Sequence, residues 1–407
     1  MSLTPVSEAR ALVLDFCPRL HPAAVPLDAA LGLVTSVPIR AEADVPAFAN
    51  SAMDGYAVRS TDIVAAPVRL SVVGTIAAGA PTDRPVRSGE AMRIMTGAAV
   101  PAGADAVVMV ERTEPHDDGA AVTILQAVRV GDHIRGPGED VASGQEVFAP
   151  FTVLQPGHIG VLASLGMSKV PVFKRARVGV LSTGDELAGP AAPLGPGQIR
   201  DSNRPTLLAL AVQAGCEAVD LGTAPDTRDA IADALGRGLA GCDAIVTSGG
   251  VSVGDFDYVK VVLDELSAGS MRWMQVAVKP AKPLAFGVVS GRPVFGLPGN
   301  PVSSIVSFEL FVRPALRRMM GHTVLDRLQV DAVADEGVQR RPDGKLHLVR
   351  AHVEWDDSDG RFHVRAAQGQ GSHMLRAMAL ANALAMVPDG DGTQPGGNVK
   401  VMLLSYP

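Results

Sequence analysis

Lysine is rare in this chain. Seven lysines occur among 407 residues, at positions 169, 174, 260, 279, 282, 345 and 400, so arginine supplies nearly all of the positive charge. Positive charge is itself in deficit, with a formal net charge of -7. That excludes nucleic acid as the main partner, because phosphate backbones favour basic surfaces. Cysteine is also scarce: Cys17, Cys216 and Cys242 make an odd count and form no CxxC. Structural disulfides and a zinc knuckle are therefore not expected, and the cytoplasm is the expected compartment. No apolar run reaches the roughly 18 residues of a membrane span, so no membrane partner is expected. The first sixteen residues carry Glu8, Arg10 and Asp15 and read as an amphipathic helix instead of a signal peptide. Repeats of 20–50 residues, low-complexity tracts, the dinucleotide fingerprint and the Walker A loop are all missing. The histidines are scattered, and His347 and His352, five apart in a strand-like run, face opposite sides of it. Neither a zinc site nor a Ser/His/Asp triad has support.

What is present is a folded composition, 47% apolar and 19% charged, with length enough for roughly two to four domains. Three textures follow one another. After the opening helix, "VRLSVVGTIAAG", "AMRIMTG", "ADAVVMVE" and "AAVTILQAV" read as strands punctuated by Gly and Pro. "KVPVFKRAR" (169–177) reads as a connector. From about 177 to 320, strand and helix alternate. "RVGVLST" and "DAIVTSGG" are apolar strands. "RPTLLALAVQAG" is a helix with Asn203 as N-cap, Pro205 in its first turn and Gly215 past its end. "TRDAIADALGRGL" is a second helix. Phe256, Val259, Val262, Leu263 and Leu266 recur at helical spacing. "RPVFGLPGNPVSS" runs strand, turn and helix, with Asn300 as N-cap and Pro301 at the first helical position. Alternating units imply a mostly parallel sheet between two helix layers, with ligands at the carboxyl ends of its strands. From about 322 onward, short strands, one helix near "HMLRAMALANA" and a last strand "NVKVMLL" suggest a small β-rich module.

The turns of the central region carry the chemistry. "STGDEL" places Asp185 and Glu186 after a strand, either as helix-start residues or as site acids. "SGGVSVGD" offers Gly249, Gly250 and Ser252 to an oxyanion, with Asp255 and Asp257 just beyond; a helix cap by Asp255 is the plainer alternative. "LPGNPVSS" adds Pro298 and Asn300 in another such turn. "VKPAKP" holds Lys279 and Lys282 on a proline-stiffened segment, placed for a phosphate or another oxyanion. In the N-terminal region, Asp54, Thr96 and Asp140 stand among small residues in "NSAMDGYAV", "RIMTGAAV" and "RGPGEDV", and taken alone these read as turns. Cations, backbone amides and carboxylates together suit a phosphorylated or nucleotidyl ligand with a divalent ion between acids and phosphate.

"SAMDGYAVR", "RIMTGAAVPAGADAVV", "GEDV", "VGVLSTGDEL", "IRDSN", "SGGVSVGDFDYVK", "KPAKP", "FGLPGNPVSS" and "GQGSHML" occur in this order. Over residues 50 to about 375 the chain resembles the molybdopterin molybdenumtransferase family, MoeA and the E domain of gephyrin. It departs at Ala281, where many members have glycine. The resemblance implies an N-terminal and linker region (1–170) with an inserted β-rich domain (about 45–145), a molybdopterin-binding α/β domain (177–320) and a C-terminal β-barrel (322–407). It implies insertion of molybdate, as substrate, into the dithiolene of adenylylated molybdopterin with release of AMP. It implies a homodimer whose site is shared between subunits, with Asp54, Thr96 and Asp140 coming from the partner. By the same resemblance Asp185, Glu186, Asp226 and Asp257 belong to the central pocket, Ser372 reaches it from the C-terminal domain, and Mg2+ would be held by Glu186, Asp257 and Asp255. Contact with a molybdopterin adenylyltransferase and with molybdoenzyme acceptors is expected. Two rival readings are a molybdopterin adenylyltransferase, which needs only the central region, and a gephyrin-like scaffold.

Overall fold

The computed structural model describes residues 3–189, 191–250 and 258–405. Two compact units share them. One is Ala24–Leu31 with Val37–Val170; the other takes the residues up to Ala23, Gly32–Ser36, and everything from Pro171 onward.

The first unit is built on a six-stranded sheet. Its strands are β1 (Gly55–Val58), β2 (Val68–Ile76), β3 (Glu90–Ile94), β4 (Ala106–Met109), β5 (Thr113–His116) and β6 (Ala121–Ile124), in the order β4-β1-β3-β2-β6-β5. All four sequence segments expected to be strands contribute one. Alternation by two puts Tyr56, Val58 and Val108 into one core and Ala57, Met92 and Val107 into another, so both faces are covered.

In the second unit, β7 (Arg177–Thr183), β8 (Glu217–Ala224), β9 (Ala244–Ser248), β10 (Arg272–Gln275), β11 (Pro283–Val289) and β12 (Arg292–Leu297) form a sheet of order β8-β7-β9-β12-β11-β10. The first four are parallel, and β11 pairs antiparallel with both β12 and β10. Helix α1 (Val6–Asp15), α2 (Asn203–Gln213) and α5 (Pro301–Ser307) cover one face; α3 (Arg228–Gly241) and α4 (Tyr258–Leu266) cover the other. The strands write this pattern themselves. Val178, Val180, Val246, Phe295 and Leu297 meet Ala9, Leu207 and Val302, whereas Leu181, Ile245 and Val294 meet Ile231, Leu235 and Val259. Each such side chain, fully buried, contributes about 1.5–3 kcal/mol. After α5 the chain passes through a π-helical turn, Phe308–Val312, before Arg313–Met319. That turn precedes Pro314, which has no N–H to give to a regular helix.

The remaining strands close a barrel. They are β13 (Gln329–Ala334), β14 (Leu346–Asp356), β15 (Arg361–Ala366), β16 (Ala383–Val387) and β17 (Gly397–Leu403), paired β14-β15-β13-β17-β16 and back to β14. Its interior is filled by small residues such as Ala332, Ala351, Val364 and Ala385. Leu348, Leu384 and Met402 point the other way and join the α/β core.

Two readings of local structure need correction. Residues 169–177 are not simply a connector: Lys169–Phe173 is a strand, with Val172 and Phe173 paired antiparallel to Thr35 and Val34. Asn203 is not the N-cap of its helix. Ser202 takes that position, and Asp201 Oδ1 accepts from the Arg204 N–H at 3.1 Å. Pro205 and Gly215 (φ +95) sit as expected.

The turn after β9 explains its paired glycines. Gly249 and Gly250 have φ of +94 and +70, the left-handed region that L side chains avoid. A Cβ at Gly250 would lie 2.3 Å from the Cβ of Val259 on α4. G250A therefore combines a backbone penalty with overpacking, together about 2–4 kcal/mol. Urea unfolding of the variant should show that loss.

Candidate functional site

The parallel strands end level with one another. Ser182 of β7 lies opposite Ser248 of β9, Ser248 opposite Leu297 of β12, and Thr183 opposite Ala224 of β8. The turns at 184–186, 225–226, 249–250 and 298–300 therefore leave one edge of the sheet, each about 4.8 Å from its neighbour. This is the edge where open α/β sheets bind ligands. Asp185 Oδ1 accepts the Asp226 N–H at 3.0 Å, which fixes the two acidic turns together. The Glu186 carboxylate folds back over Gly184, where a Cβ would sit 2.5 Å from Oε2. Protein packed around the exposed Asp226 carboxyl, and next the charges of Asp185 and Glu186, push its pKa above the usual carboxylate value. Three acids thus share a small space at high local negative charge.

Behind them lies a clasp. Asn203 Nδ2 donates to Ser248 Oγ and to the Gly299 carbonyl, each at 2.7 Å, tying two of the turns to the start of α2. Asp201 is buried and accepts from Ser182 Oγ (3.2 Å), Thr223 Oγ1 (3.3 Å) and Arg204 Nε (3.1 Å). Gly249 N–H donates to the Leu297 carbonyl at 3.1 Å.

Along the same edge, beyond β12, a cleft of about 1000 Å³ opens between the α/β layer and the barrel. Lys279, Lys282, Asn300 and Ser372 all line it. The loop between the lysines is tight, because Val276 N–H donates to the Lys282 carbonyl at 2.7 Å and Ala281 adopts φ +82. That geometry turns both lysines into one cavity, which extended backbone would not guarantee. The Ser372 carbonyl accepts the Val302 N–H at 3.1 Å, so the barrel's "GQGSHML" turn is bonded to the start of α5. Val278–Lys279 also pairs in parallel with Leu346–His347 of β14. Asp185, Glu186, Asp226, Gly249, Gly250 and the buried Pro298 do not line this cleft; they lie along the sheet edge beside it. Ser252, Asp255 and Asp257 fall outside the described residues.

In the other unit, Asp54 Oδ1 accepts from both the N–H and the hydroxyl of Thr96, each at 2.7 Å. These bonds, with Arg93 nearby, hold the Asp54 carboxyl below its ordinary pKa. Asp140 is exposed, and its N–H donates to the Val45 carbonyl at 3.0 Å. Its loop follows Ile134–Arg135, which pairs with Asn50–Ser51 just ahead of Asp54.

Three family models match the chain: the MoeA N-terminal region (domains I and II) over 4–166, a probable molybdopterin binding domain over 179–318, and the MoeA C-terminal region (domain IV) over 336–404. A molybdopterin molybdenumtransferase 2 of Mycobacterium tuberculosis is 40% identical over 395 residues, spanning 94% of this chain and 95% of that one. A molybdopterin molybdenumtransferase of Haemophilus influenzae is 38% identical over 87% of this chain and 86% of its own. The crystal structure of a molybdopterin biosynthesis moeA protein from Pyrococcus horikoshii superimposes with a TM-score of 0.80 at 29% identity, covering 99% of this chain and all of that one. The chain belongs to the molybdopterin molybdenumtransferase family. The molybdopterin-binding match contains the acid cluster and both lysines, and the MoeA C-terminal match contains Ser372 and the barrel wall of the cleft. Matches on both sides of the central region disfavour the adenylyltransferase alternative, which needs that region alone.

Within this MoeA framework, several residues escaped sequence reasoning. Asp201 was visible only as part of "IRDSN" and Asn203 only as a helix cap, and their bonds run to Ser182, Thr223, Ser248 and Gly299 on other elements. Arg340, Arg341, Lys345 and His347 line the cleft opposite the lysine loop, yet in the sequence they are charges scattered along a strand-like run. His347 faces the cleft and His352 is exposed beside Glu354, as their odd spacing requires.

Replacing Thr96 by valine removes the hydroxyl donor to Asp54. The Asp54 pKa should then rise toward 3.8, read by carboxyl-carbon NMR titration. Its native pKa is lowered, so the stability it contributes is present above the unfolded value and lost as pH falls through the folded one. T96V should shrink that acid-side loss.

Proposed function

We propose that this chain inserts molybdate into the dithiolene of adenylylated molybdopterin and releases AMP. The observation that carries this reading is the pairing of Lys279 and Lys282 in one cleft with an acid cluster on the adjoining sheet edge. Molybdate is a dianion, and the chain is net negative. The lysines supply the local positive charge that Asp185, Glu186 and Asp226 would otherwise oppose. Each charge-assisted hydrogen bond is worth about 1.5–3 kcal/mol. In the reaction two Mo–S bonds form as two Mo–O bonds break, the departing oxygens leave as hydroxide with the two dithiol protons, and the phosphoanhydride P–O bond breaks as water or one of those hydroxides adds to phosphorus and AMP leaves. Those protons pass from sulfur to the departing oxygens, and Asp226, whose pKa is raised by its surroundings, is suited to relay them. The substrate brings the sulfurs, so the chain's three cysteines, all free and buried, have no part in it.

The crowding of acids around Asp226 is the charge pattern a divalent cation relieves, which supports Mg2+ as cofactor beside Glu186; Asp255 and Asp257 join it as holders on the family resemblance alone. When bound, such an ion would screen the phosphoanhydride charge. We take the protein as a homodimer in which Asp54, Thr96 and Asp140 of one subunit serve the partner's site. Among the described residues no helix is long and apolar enough to cross a membrane, and buried free cysteines fit a cytoplasmic protein. Its substrate would come from a molybdopterin adenylyltransferase and its product pass to molybdoenzymes.

The purified protein with magnesium should release AMP from adenylylated molybdopterin in a molybdate-dependent way. Binding without release under any condition would favour a scaffold. E186A and D54A should each be inactive and folded. Mixed and allowed to reassort into dimers, they should regain about a quarter of wild-type activity, since a trans-shared site leaves one intact centre per heterodimer. No recovery would place Asp54 in its own subunit's site, and an active D54A would place it outside any site.

A further inference from the structure

Asp201 and Asn203 stand two residues apart at the start of α2, and between them they reach every turn on the carboxyl edge of the sheet. Asp201 is buried and accepts from Ser182 Oγ at the end of β7 and from Thr223 Oγ1 near the end of β8. Those strands lead into the turns of Asp185, Glu186 and Asp226. Asn203 Nδ2 donates to Ser248 Oγ at the end of β9 and to the Gly299 carbonyl in the turn after β12. Those lead to Gly249 and Gly250 and to Asn300, which lines the lysine cleft. One helix start thus holds the acid half of the edge through Asp201 and the half beside the lysines through Asn203.

The two halves are held unequally. The acid half has further ties: Asp185 Oδ1 accepts the Asp226 N–H at 3.0 Å, and Arg204, which donates to Asp201, also donates to Asp220 on β8. Gly299 is exposed, and its hydrogen-bonded link to α2 runs through one nitrogen, Asn203 Nδ2.

The amide is there for that nitrogen. Nδ2 carries two protons and can give one to each oxygen. Asn203 Oδ1 is buried and has no hydrogen-bond partner among the described residues. An unpaired buried acceptor costs stability. Turning the amide over would not help, because an oxygen would then face the Gly299 carbonyl at 2.7 Å, acceptor against acceptor. A local defect of this kind is tolerated where function needs the geometry it accompanies.

We propose that Asn203 is a positioning residue for the insertion reaction: by tying Ser248 to Gly299 it fixes the spacing between the acid edge and the lysine cleft. This rests on the reading of edge and cleft as one site of molybdate insertion and AMP release. Each half keeps its own ligand contacts without Asn203. The bond-making step needs both halves at once, and a displacement of about 1 Å in such a constellation costs about 100-fold in rate.

The test is steady-state kinetics of AMP release from adenylylated molybdopterin with molybdate, comparing wild type with N203A, N203D and S248A. Rates are expressed per molybdate-binding site, counted by calorimetric titration, so that misfolded protein does not enter them. N203A should lower kcat about 10- to 100-fold while KM for adenylylated molybdopterin and Kd for molybdate stay within about twofold. N203D keeps the shape but sets an oxygen against the Gly299 carbonyl, and should be at least as slow as N203A. S248A removes one of the two acceptors and should cost about threefold or more, yet add nothing in the N203A background, where that bond is already gone. A purely structural role would lower the number of sites and the melting temperature and leave kcat per site unchanged, which would overturn the proposal. A raised KM with kcat kept would make Asn203 a binding contact and overturn it too. Should N203A and N203D fail to fold, S248A decides: a wild-type kcat per site in that variant overturns the proposal. Wild-type protein without molybdate-dependent AMP release would overturn the parent reading, and this assignment with it.

Discussion

Everything that follows in the α/β layer depends on three strands ending level. Because Ser182, Ser248 and Leu297 sit side by side, three turns separated by long stretches of sequence leave the sheet at one edge. The requirement for close packing then sets their residue types. Gly250 must pass Val259 without a Cβ, and Gly184 holds φ +145, a backbone conformation that L side chains rarely adopt. Asn203 locks two of the turns to one helix start with two short hydrogen bonds. Ser182, Asp201 and Ser248 beneath that edge are buried, whereas Asp185 and Asp226 on it are exposed.

Charge is partitioned along that edge. Acids gather beyond β7 and β8, where Asp226 feels Asp185 and Glu186. Cations gather past β12, on the loop of Lys279 and Lys282 and on the barrel wall opposite. A protein of net negative charge can hold a dianion only by such local separation, since the long-range field is screened within about 8–10 Å at ordinary ionic strength. The barrel's role follows from this. Its closure brings β14 against Val278–Lys279, and the turn at Ser372 is bonded to α5. A strand-rich module thus completes a site that the α/β layer begins.

Much of this was legible in the sequence, for identifiable reasons. The α/β layer announced itself through apolar runs of strand length, helical spacing at Val259, Val262 and Leu263, and Pro301 at a helix start. The lysine pair stood out because lysine is so rare. Asn203 misled because its side chain serves as a donor to distant groups, Ser248 and Gly299, while the oxygen that a cap would use is buried without a partner among the described residues. Residues 169–173 misled because their basic ends hide a buried Val170, Val172 and Phe173. Arg340, Lys345 and His347 gave no local signal: they become a wall only when the barrel closes. The assignment of Asp54, Thr96, Asp140 and Ser372 to a site came from the family resemblance, since each reads by itself as a turn residue.

The most direct test of the central claim is diffraction from molybdate-soaked crystals, with data collected at the molybdenum absorption edge. The account predicts an anomalous peak within hydrogen-bonding distance of Lys279 or Lys282, inside the cleft that Ser372 also lines. A molybdenum peak found only among the surface arginines, with the cleft empty at saturating molybdate, would contradict it.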